Sequence, residues 1–335
     1  MTRSVVVANS DMNSLPSVDA GAEILVKCCT EECYKGSDMP SFDMNHCIMS
    51  LDLLVSPGRR RAVRRRLTFA LLTRLRSELT FRRNGFKWTG PTASCITRLI
   101  FVDDHYQDRY LEPITKWLRA NTDFSRPTVV NIGANLGDVA LPLSRTGKRV
   151  IAIEPNPESF ARLQQNVRQN GLAGRVQCYE IAISDEPGSA DLVLAGDPGN
   201  SELRGVGDKI GFNGVDVVCG VVPVKTMRLE TLMQSLGIPL AEVGLVWSDT
   251  QGYESQVISS APGLWKNGTP LWVEIWPKGL DCHGGADRFI EVCNQYFKRI
   301  LIADRLGDEP QPIDALAGVV RDLKSGAYTD GLLIP

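Results

Sequence analysis

A chain of 335 residues, 43% hydrophobic and 23% charged, falls in the ordinary range for soluble globular proteins and has length for one large domain plus an appendage. Its formal charge of -2 excludes a general pull toward nucleic acid or a membrane, so any electrostatic partner must be argued from a local patch. No run approaches the roughly 20 apolar residues that cross a bilayer, and the apolar run before Asn9 and Asp11 is too short for a secretory signal. The cysteines, 9 in all, are odd in number and irregularly spaced, which favours reduced thiols and, with the missing signal, a cytoplasmic protein.

Composition divides the chain into three zones: 1–57 irregular, 58–120 basic and then mixed, and 121–335 alternating apolar runs with amphipathic stretches. In the first, Ile24-Leu25-Val26 and residues 48–55 are candidate short ordered pieces. Cys28, Cys29, Cys33, His46 and Cys47 are not spaced like the paired C-x-x-C knuckles of structural zinc and read as ordinary thiols.

In the second zone, arginines recur between Arg59 and Arg83, interleaved with Leu67, Phe69, Leu71, Leu72, Leu75 and Leu79 and opposed only by Glu78. This composition suits an amphipathic helix at an anionic membrane surface, or a nucleic-acid contact. It equally suits a basic face solvated on one side and packed on the core on the other, which is the preferred reading; a nucleic-acid partner is not expected.

The third zone opens with Thr128 to Ile132, a short apolar run bounded by Pro127 and Gly133, as a buried parallel strand should be. A helix with Val139, Ala140 and Leu143 on one side is expected next, then a strand from Arg149 to Ile153 ending at Glu154. Asn156-Pro157-Glu158 opens a helix that runs through Phe160, Leu163 and Val167 to a stop at Gly171. Arg175 to Ala182, Gly244 to Ser248 and Leu271 to Ile275 read as further strands, with a helix from about Gly252 to Ser260. The interval Gly196 to Gly220, followed by Val221 to Thr226, breaks the rhythm as an inserted hairpin or loop. The alternation predicts an α/β fold: a mostly parallel sheet with helices on both faces, plus an N-terminal extension.

Gly133, Asn135 and Gly137 supply a turn between strand and helix through which backbone can approach a ligand. About 20 residues on, Glu154 stands at the end of the next strand, where an acid accepts hydrogen bonds from both hydroxyls of an adenosine ribose. A dinucleotide fingerprint would want glycines at 133, 135 and 138, but this chain has Gly133, Asn135 and Asp138. Asp138 in a first helical turn would oppose a diphosphate, whereas S-adenosylmethionine carries no phosphate and has a sulfonium cation. The competing interpretation is a tight structural connection, with Glu154 capping the next helix.

These residues resemble the FkbM family of methyltransferases, which pairs a G-A-N-x-G loop, here Gly133 to Gly137, with an E-P-x-P turn, here Glu154-Pro155-Asn156-Pro157. Further matches are Asn166 with Asn170, Ala182-Ile183-Ser184-Asp185 followed by Gly188, and Val224 to Leu232. The most specific is Ser248-Asp249-Thr250-Gln251-Gly252-Tyr253-Glu254, similar to the family's D-x-x-G-x-E segment. The resemblance covers roughly residues 100–280 and implies a Rossmann-like class I methyltransferase fold with S-adenosyl-L-methionine as cofactor. It also implies that Glu154 grips the ribose, that Gly133, Asn135 and Gly137 shape the amino acid end of the pocket, and that Ile183 and Asp185 lie near the adenine. Asp185 is equally well read as a turn residue ahead of Glu186-Pro187-Gly188. Asn131 departs from the pattern: the family usually has Asp there, whose charge would favour the cofactor's ammonium group.

Methyl transfer to a hydroxyl needs alignment and a base for the hydroxyl proton. Acids at the carboxyl ends of the strands are the first candidates, here Asp249 and Glu274, followed by His283 in the loop after the fifth strand. Asp249 could instead cap a helix, Glu274 pair with a cation such as Lys225, Glu254 serve as a first-turn helix acid, and His283 be structural. Nothing in the spacing of Asp249, Glu254 and Glu274 requires a divalent cation, and no metal is expected. The resulting reading is an O-methyltransferase acting on a hydroxyl of a saccharide or secondary metabolite. A nicotinamide-dependent oxidoreductase and a catalytically inactive methyltransferase-like binding module are the alternatives.

Overall fold

The computed structural model describes residues 57–103, 106–212, 216–305, 309–323 and 326–335. The irregular segment 1–56, with its candidate ordered pieces and cysteines, lies outside the described residues, as do the side chains of Arg59 and Arg60.

The N-terminal part consists of α1 (Pro57–Leu75), the strands β1 (Glu78–Arg83) and β2 (Phe86–Pro91), α2 (Cys95–Val102) and α3 (Asp108–Asn121). The arginine-rich stretch is therefore not one helix through Arg83. Beyond Leu75 the pattern changes to period two, with Leu79 and Phe81 half-buried between exposed Thr80 and Arg82. Asn84 and Gly85, both at positive φ (51° and 77°), close a two-residue hairpin turn that pairs β1 with β2.

The main domain follows as β3 (Thr128–Ile132), α4 (Ala140–Leu143), β4 (Arg149–Ile153), α5 (Pro157–Gln169), β5 (Val176–Tyr179), β6 (Ala182–Ile183), β7 (Gly188–Ala195), β8 (Glu202–Leu203) and β9 (Val218–Met227). Then come α6 (Leu229–Ser235), β10 (Val243–Ser248), α7 (Glu254–Ser259), α8 (Pro262–Lys266), β11 (Leu271–Ile275), α9 (Pro277–Leu280) and α10 (Gly285–Tyr296). The chain finishes with β12 (Arg299–Ile302), β13 (Gln311–Pro312), α11 (Leu316–Asp322) and β14 (Thr329–Ile334).

Eight strands form the central sheet in the order β13-β12-β14-β11-β10-β3-β4-β5. The five from β11 to β5 are parallel, and β14, β12 and β13 extend the sheet antiparallel beyond β11. The strand anticipated over Arg175 to Ala182 is in fact two. Tyr179 pairs with Ile153, the last residue of β4, and β4 then gives way to the Glu154-Pro155 turn, so the chain has no neighbour there. Residues 182–183 join a different partner, β9. The interval expected as a hairpin or loop carries β8 and β9, and β9 returns antiparallel to β7 to complete a second sheet of order β6-β9-β7-β8.

Alternation along the buried strands divides the core in two. Val130, Ile132, Ile151, Ile153, Val246 and Val273 face one layer with α6, α7, α8, α10 and α11. Val129, Val150, Ala152, Leu245, Trp247 and Trp272 face the other, against α2, α3, α4 and α5. Trp247 and Trp272 stack across neighbouring strands with centroids 5.0 Å apart. The β1–β2 hairpin is fastened to α5 by two asparagines. Asn166 accepts from Thr89 N–H at 2.7 Å and donates to the Thr89 and Leu136 carbonyls, while Asn170 accepts from Lys87 N–H at 2.7 Å. Cys95, Cys178, Cys219, Cys282 and Cys293 are free thiols, and no helix among the described residues is long and apolar enough to cross a membrane.

Candidate functional site

From β3 the chain runs outward through β4 to β5, then returns to lay β10 on the other side of β3. The sheet thus switches direction between β3 and β10, and a crevice opens beyond the carboxyl ends of these two strands. The backbone is tightest there. Gly133 has φ +74° and lies so close to the next strand that a Cβ would stand 1.8 Å from the Asp249 carbonyl oxygen. Asp249 N–H donates to the Ile132 carbonyl at 3.1 Å, and Gly133 and Ala134 both donate to Ile153. Only a glycine permits this approach.

Asn135 (φ 46°) and Gly137 (φ +99°) continue the loop. Gly137 makes room for packing, since a Cβ would meet Leu141 at 2.6 Å and Leu163 at 3.0 Å. The helix anticipated after the loop is a single α turn, α4, followed by the 3-10 turn Ser144–Thr146. Pro142 has no N–H to bond back to residue 138, and Gly147 ends the segment with φ 84°. Asp138 consequently sits in the turn ahead of α4 rather than in a first helical turn.

Glu154 is 6% exposed and organises the loop: Oε2 accepts from Asn135 N–H at 2.7 Å and Oε1 from Asn156 N–H at 2.8 Å. Burial raises its pKa to about 7, against the opposing pull of those two N–H groups.

Glu154, Asp138, Asp249 and Glu274 line one cavity of about 1670 Å³. Asp138 accepts at Oδ2 from the Gln107 side-chain amide (3.0 Å) and the Tyr106 hydroxyl (3.5 Å), and burial lifts its pKa to about 7. Asp249 is open to the cavity yet deep in the protein, which raises its pKa. Glu274 is buried and shares a hydrogen bond with Asp249; burial first, then the charges of Asp249 and Glu254, hold it protonated well above the usual carboxylate range. The Gln251 amide bridges the pair, donating to Asp249 Oδ1 at 2.8 Å and Glu274 Oε2 at 3.2 Å. Glu254, raised by burial to about 7, fixes this turn from behind by accepting from Thr250 N–H and Oγ1.

The remaining candidates are dispersed. Ile183 lines the cavity beside Ala182. Asp185 is not among the lining residues and pairs with Arg288 at 2.8 Å. His283 is 2% exposed, packs edge-on against Tyr253 with centroids 5.0 Å apart, and burial lowers its pKa to about 4; it does not reach the cavity wall. Asn131 is fully buried on β3, in register with Trp247 and Ala152, and neither of its amide atoms has a hydrogen-bond partner among the described residues.

Several cavity residues are not apparent from the motifs. Tyr106 and Gln107 come from the N-terminal part, and Cys95 N–H at the start of α2 donates to Asp197 Oδ2 at 2.7 Å. This bond ties α2 to the turn Pro198–Asn200 and roofs the loop over Asn135, whose amide would lie 3.1 Å from a Cβ on Gly199. Such contacts join residues about 100 positions apart, and no local pattern announces them.

Comparison with known proteins finds similarity to methyltransferases. Residues 131–295 match the methyltransferase FkbM domain family. The 2-O-methyltransferase NoeI of Sinorhizobium fredii is similar at 29% identity, over 40% of this chain and 56% of its own. The 31-O-demethyl-FK506 methyltransferase FkbM of Streptomyces tacrolimicus is similar at 31% identity, over 39% and 58%. The chain therefore spans little more than half the length of these curated relatives. Among solved structures, a methyltransferase FkbM from Methylobacillus flagellatus is similar with a TM-score of 0.35 and 12% identity, covering 69% of this chain and 61% of that one.

Proposed function

We propose that this methyltransferase uses S-adenosyl-L-methionine to methylate a hydroxyl of a small acceptor, a saccharide or secondary metabolite. The observation that carries the reading is Glu154, a buried carboxylate at the end of β4. Each of its oxygens already takes one loop N–H and retains a lone pair for one ribose hydroxyl. The residues present fit the cofactor. Gly133 lets the loop lie against Asp249, where a Cβ would strike the carbonyl oxygen, Ile183 offers an apolar wall for an adenine, and Asp138 supplies negative charge beside the loop where Asn131 is neutral. A single ligand fills roughly 300–1,000 Å³, so the cavity has space for a cofactor and an acceptor together. The O-methyl and small-molecule parts of the reading rest on the names of the two relatives.

When bound, S-adenosyl-L-methionine supplies a sulfonium methyl group that is already electrophilic. The protein's tasks are to align the acceptor, exclude water and take up one proton. Asp249 is the base: it faces the cavity, and its raised pKa brings it closer to the acceptor hydroxyl it must deprotonate. Glu274, held protonated, donates to Asp249 and stays neutral, so the two carboxyls share one proton and one charge. Gln251 fixes their orientation. A dinucleotide fits this cavity poorly, because Asp138, beside the glycine loop, would face its diphosphate.

Calorimetric titration with S-adenosylhomocysteine and with NAD tests the reading. Binding of the homocysteine product with no NAD binding is expected; tight NAD binding alone would overturn it.

A further inference from the structure

The pairing of the central sheet sets the cavity's side chains on a single line. Ala152 pairs with Asn131, Asn131 with Trp247 and Trp247 with Trp272. Two residues further along each strand, Glu154, Gly133, Asp249 and Glu274 therefore follow one another across β4, β3, β10 and β11. Glu274 pairs in turn with Asp330 of the antiparallel β14, and Ala303, one residue beyond the pair of Ile302 with Gly331, comes next at the end of β12. All six line the cavity, on the sheet face that carries Trp247 and Trp272.

The line has a direction. With the ribose at Glu154 and the base at Asp249, the acceptor lies on the far side of Asp249, over β11, β14 and β12. Three strand spacings of about 4.8 Å separate Asp249 from Ala303, so this stretch runs about 14 Å, longer than one sugar ring. Tyr110 of α3 covers it from the helix layer, with its ring centroid 6.0 Å from that of Trp272, two residues before Glu274. Tyr328 stands at the mouth, two residues before Asp330, and is 40% exposed. Its hydroxyl pKa is raised first by burial and then by the charges of Glu274 and Asp330, which places it beside them. Tyr110, Ala303, Tyr328 and Asp330 all fall outside residues 131–295, the span matched by the family.

Resting on the methyl transfer proposed above, we propose that the acceptor is a saccharide of two or more linked rings laid along Glu274, Asp330 and Ala303, with Asp330 accepting from its hydroxyls. A carboxylate covered by an apolar molecule loses water and receives no hydrogen bond in return, whereas a polyol offers donors along its whole length. Tyr110 and Tyr328 each present an apolar ring with a polar tip, which suits a sugar whose faces carry C–H and whose edge carries hydroxyls. Ala303 adds only a methyl group to the wall at the far end, where the second ring lies.

Transfer of tritiated methyl from S-adenosyl-L-methionine by the full chain tests this with two acceptor sets. One holds mono-, di- and trisaccharides of the common hexoses, 6-deoxyhexoses and hexosamines, and the other holds terpenoid and sterol alcohols. Label is expected in saccharides alone, with a lower KM for di- and trisaccharides than for the matching monosaccharide. Asp330→Asn, which keeps the side chain's size, should raise that KM about tenfold while S-adenosylhomocysteine binds as it does to the parent. Tyr328→Ala, at an exposed position, should raise KM for the linked rings more than for the monosaccharide. Label in the alcohols or in neither set, no preference for linked rings, or an unchanged KM in both variants overturns the proposal. Failure of the parent to bind S-adenosylhomocysteine would strike the underlying methyl-transfer reading instead, so the two failures are told apart.

Discussion

Replacing Glu154 by Gln keeps the side chain's size and changes only its chemistry. In the native protein each carboxylate oxygen accepts one backbone N–H, from Asn135 at 2.7 Å and Asn156 at 2.8 Å. The amide retains one acceptor oxygen and turns an NH2 donor toward the other N–H, so one ribose bond is lost and one loop contact becomes donor against donor. A hydrogen bond to a charged group is worth about 1.5–3 kcal/mol. Losing one, with some loop disorder added, predicts a cost of about 2–4 kcal/mol, or roughly 30- to 1,000-fold weaker binding of S-adenosylhomocysteine. Calorimetry should be performed near pH 8, where the parent carboxyl, with its pKa of about 7, is mostly ionised. Below that pKa a proton must leave before the ribose can bind, so parent affinity should fall toward about tenfold per pH unit. Glu154→Gln should lose that part of the slope and keep only the part that Asp138 contributes. A variant that binds the product as tightly as the parent, with the parent's pH dependence intact, would refute the ribose assignment.

Three further outcomes are expected. Glu154, Glu254 and Asp138 are buried, with pKa values raised from 4.5, 4.5 and 3.8 to about 7. The folded chain therefore binds more protons than the unfolded one, and their contribution is full below about pH 4 and lost as pH rises through about 7, on the order of 3 kcal/mol each. Thermal unfolding of the ligand-free protein should show Tm rising on mild acidification from neutral pH, and Glu254→Gln should flatten the rise; a Tm indifferent to pH would contradict their burial. Asp249→Asn should lower kcat by about 10²- to 10⁴-fold while S-adenosylhomocysteine still binds, and undiminished turnover would remove Asp249 as the base. Asp138→Asn should weaken S-adenosylhomocysteine but leave methylthioadenosine, which lacks the amino acid tail, unchanged; equal losses for both ligands would place Asp138 elsewhere.

The parts legible in the sequence are those determined by short-range patterns. Thr128 to Ile132 and Leu271 to Ile275 coincide with β3 and β11 because a buried parallel strand is a short apolar run with clear ends. Glu154 was legible for the same reason, standing at the end of such a run. The β1–β2 hairpin was also within reach: Asn84-Gly85 between alternating runs is a strong turn signal, masked there by the arginines around it. The split between β5 and β6 was not, since it depends on where β4 ends. His283 and Asp185 illustrate the same limit at the site. Their residue types suit catalysis and adenine recognition, but Tyr253 and Arg288, partners supplied by the fold, occupy them instead.

Asn131 and Asp138 show how such partners redistribute charge within one loop. A carboxylate at 131 would lie in the fully buried row of Trp247 and Ala152, where the existing amide already has no hydrogen-bond partner among the described residues. Ionising a group there carries a large desolvation cost. Asp138 meets a different environment. It borders the cavity, and the Gln107 amide and Tyr106 hydroxyl both favour its charged form, so burial raises its pKa only to about 7. A cation arriving in the cavity would shift that balance to full ionisation at neutral pH. The asparagine is therefore compatible with cofactor binding, because the charge absent from β3 is available seven residues further along the chain, at Asp138, on a side chain that the N-terminal part of the chain holds in place.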